Sequence, residues 1–177
     1  MTRNTASTPR VVSHTVARLD IPVDEDFEAF RSRYEAAVPM FDPQVVGPDA
    51  SLEDLARVAE SAPHGFLLYG RVDISPFMRL AGHPWRCTTY LMGNHMIAET
   101  MYRHDPGVML YAPLRTVINE DRSGGVHFAI DQPSGRFASF GDPDIAATGR
   151  LLDRKLAGLL TALGLPVPAV LEGDVAR

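Results

Sequence analysis

Residues 86–131, RCTTYLMGNHMIAETMYRHDPGVMLYAPLRTVINEDRSGGVHFAID, decide how the fold is read. Arg86 to Met92 reads as a strand. Gly93-Asn94 breaks it, and the Asn94 side chain can cap a helix running to about His104. Asp105-Pro106-Gly107 supplies a turn. Pro113 to Asn119 and Val126 to Asp131 then form a hairpin closed at Ser123-Gly124-Gly125. Its period of two sends Leu114, Thr116 and Ile118, and Val126, Phe128 and Ile130, to one side.

Working outward from this stretch, Val11 to Leu19 is β-branched and loosely alternating, so a strand is expected there. Asp24 is expected to cap a helix whose Phe27, Phe30, Tyr34 and Val38 follow helical spacing. Pro39, Pro43 and Pro48 mark a long loop around Met40-Phe41-Asp42. Ser51-Leu52-Glu53-Asp54 is a capping-box pattern, and the helix it opens should turn Leu52, Leu55 and Ala59 inward. Gly65 to Asp73 reads as a strand with Phe66, Leu68 and Val72 on one face and Tyr69, Arg71 and Asp73 on the other. Ser75 to Leu80 reads as one or two helical turns. Asp142-Pro143 starts a last helix carrying Leu152, Leu156, Leu159 and Leu163 and stopping at Gly164. The expected fold is therefore α+β: an antiparallel, curved sheet with helices packed on one face. The expected domain plan is a disordered segment 1–10, a single domain 11–164 and a frayed tail 165–177.

The chain has 177 residues, a hydrophobic fraction of 45% and a net charge of -5. That length suits one domain with a core of its own. The acidic balance argues against nucleic acid and against an anionic membrane surface. No apolar run reaches a spanning length and residues 1–10 have no apolar signal region, so no membrane partner is expected. The one cysteine, Cys87, excludes an internal disulfide framework, and the expected location is cytoplasmic. Of the 17 basic residues only Lys155 is a lysine, on the helix side away from the leucines. Schiff-base, pyridoxal phosphate and Walker-type chemistry each need a placed lysine and are not expected. No Gly-x-Gly-x-x-Gly is present, so no nucleotide cofactor is expected.

Residues 65–163 resemble the bacterial family called domain of unknown function 302. The resemblance rests on Gly65-Phe66-Leu67-Leu68-Tyr69, on Tyr90-Leu91-Met92-Gly93-Asn94, on Asp105-Pro106 and on Ala112-Pro113-Leu114-Arg115 leading into a strand. The glycine-rich hairpin and the closing amphipathic helix agree with it. It implies a TATA-binding-protein-like sheet with helices on one face, often paired as a homodimer, in a broad architecture that includes helix-grip folds holding apolar ligands. It supplies no catalytic residues. The chain departs from the family in having His95 where proline usually follows Gly-Asn, and in its longer N-terminal region with Phe41-Asp42-Pro43.

Four groupings could carry function. Strand parity puts Tyr69, Arg71, Arg115, His127 and Asp131 on the polar sheet face, where Arg86, Thr88 and Tyr90 could join them. Such a set can hold a carboxylate or enolate and move a proton, and reads equally as a solvated face or a dimer interface. Asn94-His95 opens a helix whose N–H groups favour an anion, with Glu99 placed at i+4 to orient His95. The plainer reading is an N-cap and a surface histidine. Tyr102-Arg103-His104-Asp105 with Tyr111 stands on a loop leaving a helix, where function often sits, although histidine and arginine also suit a helix C-terminus. Cys87, His83, His95, Glu99 and His104 lie close in sequence, without zinc-finger or His-Glu-x-x-His spacing.

The expectation drawn from these is a homodimer that binds a small organic molecule, with no cofactor. If it is an enzyme, it is expected to be a cofactor-independent lyase, isomerase or cyclase. In that case His95 moves the proton, Tyr90 and His104 assist, Arg71 and Arg115 hold an anion, and Tyr69, Asn94 and Tyr111 line the site. The alternatives are a haem or metal protein using His83, His95 or His104, and a non-catalytic interaction module.

Overall fold

A computed structural model describes residues 8–173. Its sheet has five antiparallel strands: β1 Arg18–Val23, β2 Leu67–Asp73, β3 Cys87–Gly93, β4 Leu114–Glu120 and β5 Val126–Asp131, in the order β1-β5-β4-β3-β2. The helices are α1 Phe27–Ala37, α2 Leu52–Ser61, α3 Ser75–Leu80, α4 His95–Tyr102, α5 Pro133–Phe137 and α6 Pro143–Ala162. α1 and α2 carry the chain from one sheet edge to the other. The remaining connections join neighbouring strands.

The alternation expected of the hairpin is observed: Leu114, Thr116, Ile118, Val126, Phe128 and Ile130 are all buried. With Tyr90 and Met92 of β3 they meet Phe27, Phe30 and Tyr34 of α1 and Ile145, Leu152, Leu156 and Leu159 of α6 in one core. Tyr34 carries a hydroxyl into this core, and Thr116 Oγ1 satisfies it at 3.0 Å. Burial pushes the Tyr34 phenol well above its ordinary range. The opposite sheet face carries Thr89, Val117, His127 and Ala129, half-buried, and Leu91 and Arg115, exposed. At the hairpin turn the Asp121 carboxylate accepts from Ser123 Oγ and the Ser123 N–H at 2.7 Å and from the Gly125 N–H at 2.9 Å. Those bonds hold its carboxyl down to about 2.

Several expectations are corrected. The first strand is Arg18–Val23, not 11–19, because Leu19, Ile21 and Val23 are the residues that reach the core. Asp26, not Asp24, caps α1, accepting from the Glu28 and Ala29 N–H groups. The capping box of Ser51 and Asp54 is present, but Leu52 is 63% exposed, because α2 lies on the domain's flank. In β2 the register shifts between Leu68 and Gly70, so Tyr69 is the extra residue of a bulge. The bulge inverts the parity beyond it. Arg71 now sits opposite Tyr90 on the helix side, and Val72 opposite Thr89 on the other. The expected frayed tail is packed through Leu171, since Leu165 and Leu171 are both buried. The disorder expected of residues 1–10 falls largely outside the described residues. Among those described, no helix is long and apolar enough to cross a membrane.

Candidate functional site

The junction of β3 and α4 is built around Asn94. Its Oδ1 accepts from the Met96 and Ile97 N–H groups at 3.0 and 3.1 Å, and its Nδ2 donates to the Gly65 carbonyl at 3.0 Å. Asn94 is therefore a helix cap that also ties α4 to the start of β2, with both ends of its amide committed. The next residue, His95, is half-buried against the bulge at Tyr69.

The hydrogen bonds fix the tautomer of the neutral His95 ring. Its Nε2 lies 2.8 Å from the Leu55 carbonyl oxygen, which can only accept, so Nε2 carries the proton. Nδ1 is 2.7 Å from the Tyr69 hydroxyl. In the neutral ring Nδ1 accepts, so Tyr69 donates, and the Tyr69 oxygen in turn accepts the His95 backbone N–H at 3.0 Å. Phe41 completes the cluster, its ring centroid 5.1 Å from that of Tyr69 and 5.5 Å from that of His95. Burial raises the Tyr69 phenol above its usual range, against the opposing effect of the His95 N–H. Glu99, expected to orient His95, instead pairs with Arg103 one turn further on.

Beside this cluster, α4 and the segment 109–114 border a cavity of about 320 Å³ that opens to solvent past Tyr102 and Met109. Ile97, Met101, Met109, Leu114, Phe137 and Leu152 form its apolar walls; Tyr69, Asn94 and His95 stand together at one end, and Glu99 and Tyr102 of α4 also line it. The walls come from α4, the turn Pro106–Leu110, β4, α5 and α6. Sequence reading found the polar end of this cavity and missed most of its walls. Met109, Phe137 and Leu152 are far apart in the chain and carry no local signal of convergence. The Leu55 carbonyl is a main-chain group 40 residues from His95, and no residue type announces it.

The other expected site residues stand elsewhere. Tyr90 is fully buried, and its hydroxyl donates to Glu35 Oε1 at 2.8 Å. Arg71 binds the same carboxylate at 3.1 Å. Desolvation, then the bond to Glu35, pushes the Tyr90 phenol far up, so it stays protonated. The three form an α1-to-sheet link, not part of the cavity near His95. His104 lies 3.4 Å from Asp142, the cap of α6, and 3.9 Å from Asp144. That trio is the one group of three histidine, cysteine or acidic residues gathered closely enough for a shared ion among the described residues. Neither His83 nor His95 joins it. His83 stacks on Trp85 with centroids 5.5 Å apart. Tyr111 packs edge-on against Phe137 and Phe140, under the Arg136 guanidinium. Arg115 projects from the uncovered sheet face. His127, on that same face, lies 3.0 Å from Asp20 and 3.4 Å from Asp121. Cys87 is half-buried, its backbone N–H donating to Ser75 Oγ at 3.0 Å.

A family model described as domain of unknown function DUF302 matches residues 46–163, which takes in α2 as well as the stretch from Gly65 onward. No curated protein matches the sequence. Among solved structures, the crystal structure of an uncharacterized conserved protein DUF302 from Bacillus stearothermophilus superposes with a TM-score of 0.60 at 12% identity. The superposition covers 81% of this chain and 95% of that one. At that identity the likeness concerns the fold.

Proposed function

The chain belongs to the DUF302 family, and on that footing we propose that it binds a small, largely apolar organic molecule in the cavity between α4 and the segment 109–114. The observation that carries this reading is the cavity itself. Its volume of about 320 Å³ is in the range of sites for small organic ligands, and its lining is mostly apolar with a few polar residues among it. A body of two or three fused or linked rings suits the space, with any polar substituent directed at Tyr69 and His95.

Binding is better supported than turnover. Both ring nitrogens of His95 are committed, one to a main-chain carbonyl and one to Tyr69. The arginines expected to hold an anion, Arg71 and Arg115, are not among the cavity's lining residues. Tyr90 and His104 are absent from it too. Pairing of two copies belongs to the same proposal. β2 is a sheet edge, and Val72, Phe77, Met78 and Leu80 beside it are exposed, a concentration of apolar surface that a second copy would cover. Sedimentation of the wild-type protein and of Phe77→Asp tests that part: the wild type should run as a dimer and the variant as a monomer.

The ligand reading is tested by titration with N-phenyl-1-naphthylamine, a neutral fluorescent probe of suitable size. Saturable binding near one probe per chain is expected. Ala98→Phe, which fills the cavity from α4, should weaken it at least tenfold while leaving the melting temperature within a few degrees. Equal affinity in the variant would place the probe elsewhere and defeat the proposal.

A further inference from the structure

A second cavity lies on the other side of the segment 109–114, at one end of the uncovered sheet face. Its volume is about 420 Å³, and Met109, Ala112, Pro113 and Leu114 border both cavities. Its character is different. The apolar part is formed by Leu91, Leu110 and Pro113, and the charged part by Arg115, Asp131 and Arg136.

The register of the sheet explains the charge. One rung of the uncovered face runs Gly70, Leu91, Arg115 across β2, β3 and β4. On β1 and β5 it continues as Arg18 opposite Asp131. Thr116 opposite Ile130 fixes the neighbouring rung, so Arg115 lies beside Asp131. Three arginines, Arg18, Arg115 and Arg136, thus neighbour a single acid, Asp131, along and beside this rung. Asp131 is ion-paired with Arg136, and the Arg136 guanidinium is also held 5.0 Å above the Tyr111 ring. Among the described residues no carboxylate lies within ion-pair distance of Arg115 or Arg18. This corner is therefore locally cationic on a chain whose net charge is -5. Arg115 thus brings a positive charge with no paired carboxylate to a cavity with one apolar wall.

We infer that this cavity is a binding site for a small carboxylate with an apolar body, separate from the apolar cavity beside His95. Arg115 takes the carboxylate, for which a guanidinium presents two parallel N–H donors. Asp131 and Tyr111 hold Arg136 in place, so that it adds positive field at the rim. Leu91, Leu110 and Pro113 cover the body of the ligand. Two features set the selectivity. A neutral isostere leaves Arg115 without its partner, and an inorganic anion leaves the apolar wall uncovered.

The test is calorimetric titration of the full-length protein with sodium 4-phenylbutyrate, with 4-phenylbutanamide as its neutral counterpart and with inorganic phosphate. The expected result is saturable binding of the carboxylate and at least tenfold weaker binding of both the amide and phosphate. Arg115→Gln should lower the carboxylate affinity at least tenfold; the residue is exposed, so the variant should fold. Ala98→Phe should leave that affinity unchanged, which separates this site from the apolar cavity. Equal binding of the amide or of phosphate would overturn the inference. So would an unaffected Arg115→Gln, loss of binding in Ala98→Phe, or no saturable binding of the carboxylate.

Discussion

His95→Ala should destabilise the protein far more than a surface histidine would. The substitution removes the bond from the Tyr69 hydroxyl at 2.7 Å and the bond to the Leu55 carbonyl at 2.8 Å. It also removes an edge contact with Phe41, whose ring centroid lies 5.5 Å away. Two neutral hydrogen bonds contribute about 1 kcal/mol each, and the aromatic contact about 0.5–1 kcal/mol more. The sum is about 2.5–3 kcal/mol, or roughly 5–12 °C in melting temperature for a chain of this size. The effect should be concentrated in α2, which is anchored through Leu55 and otherwise has only Ala59 fully buried. Urea denaturation gives the total, and amide exchange over residues 52–61 gives its location. Tyr69→Phe in the same cycle should couple to His95→Ala by about 1 kcal/mol. The control is His83→Ala, which loses a stacking contact on Trp85 and should cost about 0.5 kcal/mol or less. If His95→Ala falls within about 0.5 kcal/mol of wild type, His95 is a free surface side chain and the account of its two bonds is wrong.

Further outcomes follow from the same structure. Glu120 is held below the ordinary carboxylate value of 4.5 chiefly by the Arg86 side chain, which it meets at 2.9 and 2.5 Å. The unfolded chain therefore binds more protons in the window below that value. The stabilisation is complete above it and is lost as pH falls through the depressed folded value. Glu120→Gln should thus cost about 1–2 kcal/mol near neutrality and nothing near pH 2, as read from urea midpoints across pH; a pH-independent difference would refute the pairing. Gly65 has φ of +72°, and a Cβ there would come 2.7 Å from Lys155 Nζ. The lysine head can move aside, so Gly65→Ala should cost about 1–2 kcal/mol from the backbone alone, unchanged in a Lys155→Ala background. Recovery in that background would show the clash to be the main effect. Tyr90→Phe should cost about 1–2 kcal/mol by removing the bond to Glu35 while keeping the ring in the core, with Glu35→Gln distinguishing that bond from packing.

Local signals in the sequence were good guides where local chemistry decides structure. The alternation in β4 and β5, the capping box at Ser51, the Asn94 cap and the Asp142-Pro143 start all rely on neighbours a few residues apart. The failures share a different cause. One extra residue at Tyr69 inverts every side chain beyond it in β2, and period-two reading has no means of detecting a bulge. That single shift moved Arg71 to the helix side and brought it to Glu35. Tyr90 and Arg71 looked like polar-face residues because the acid that satisfies both lies on α1, more than 30 residues away. The candidate site was legible at Asn94, His95 and Tyr69. Its walls were not, since five separate segments supply them. The cationic corner at Arg115 needed the register across β1, β5 and β4, which no single segment encodes.

The most direct test of the ligand cavity uses the methionines as reporters. Met101 and Met109 line it, whereas Met40 and Met78 are exposed and stand away from it. In a spectrum of methyl-labelled methionine, N-phenyl-1-naphthylamine should shift Met101 and Met109 saturably, leave Met40 and Met78 unmoved, and lose the effect in Ala98→Phe. Shifts confined to Met40 or Met78, or shifts at Met101 and Met109 that persist unchanged in Ala98→Phe, would contradict a ligand cavity beside His95.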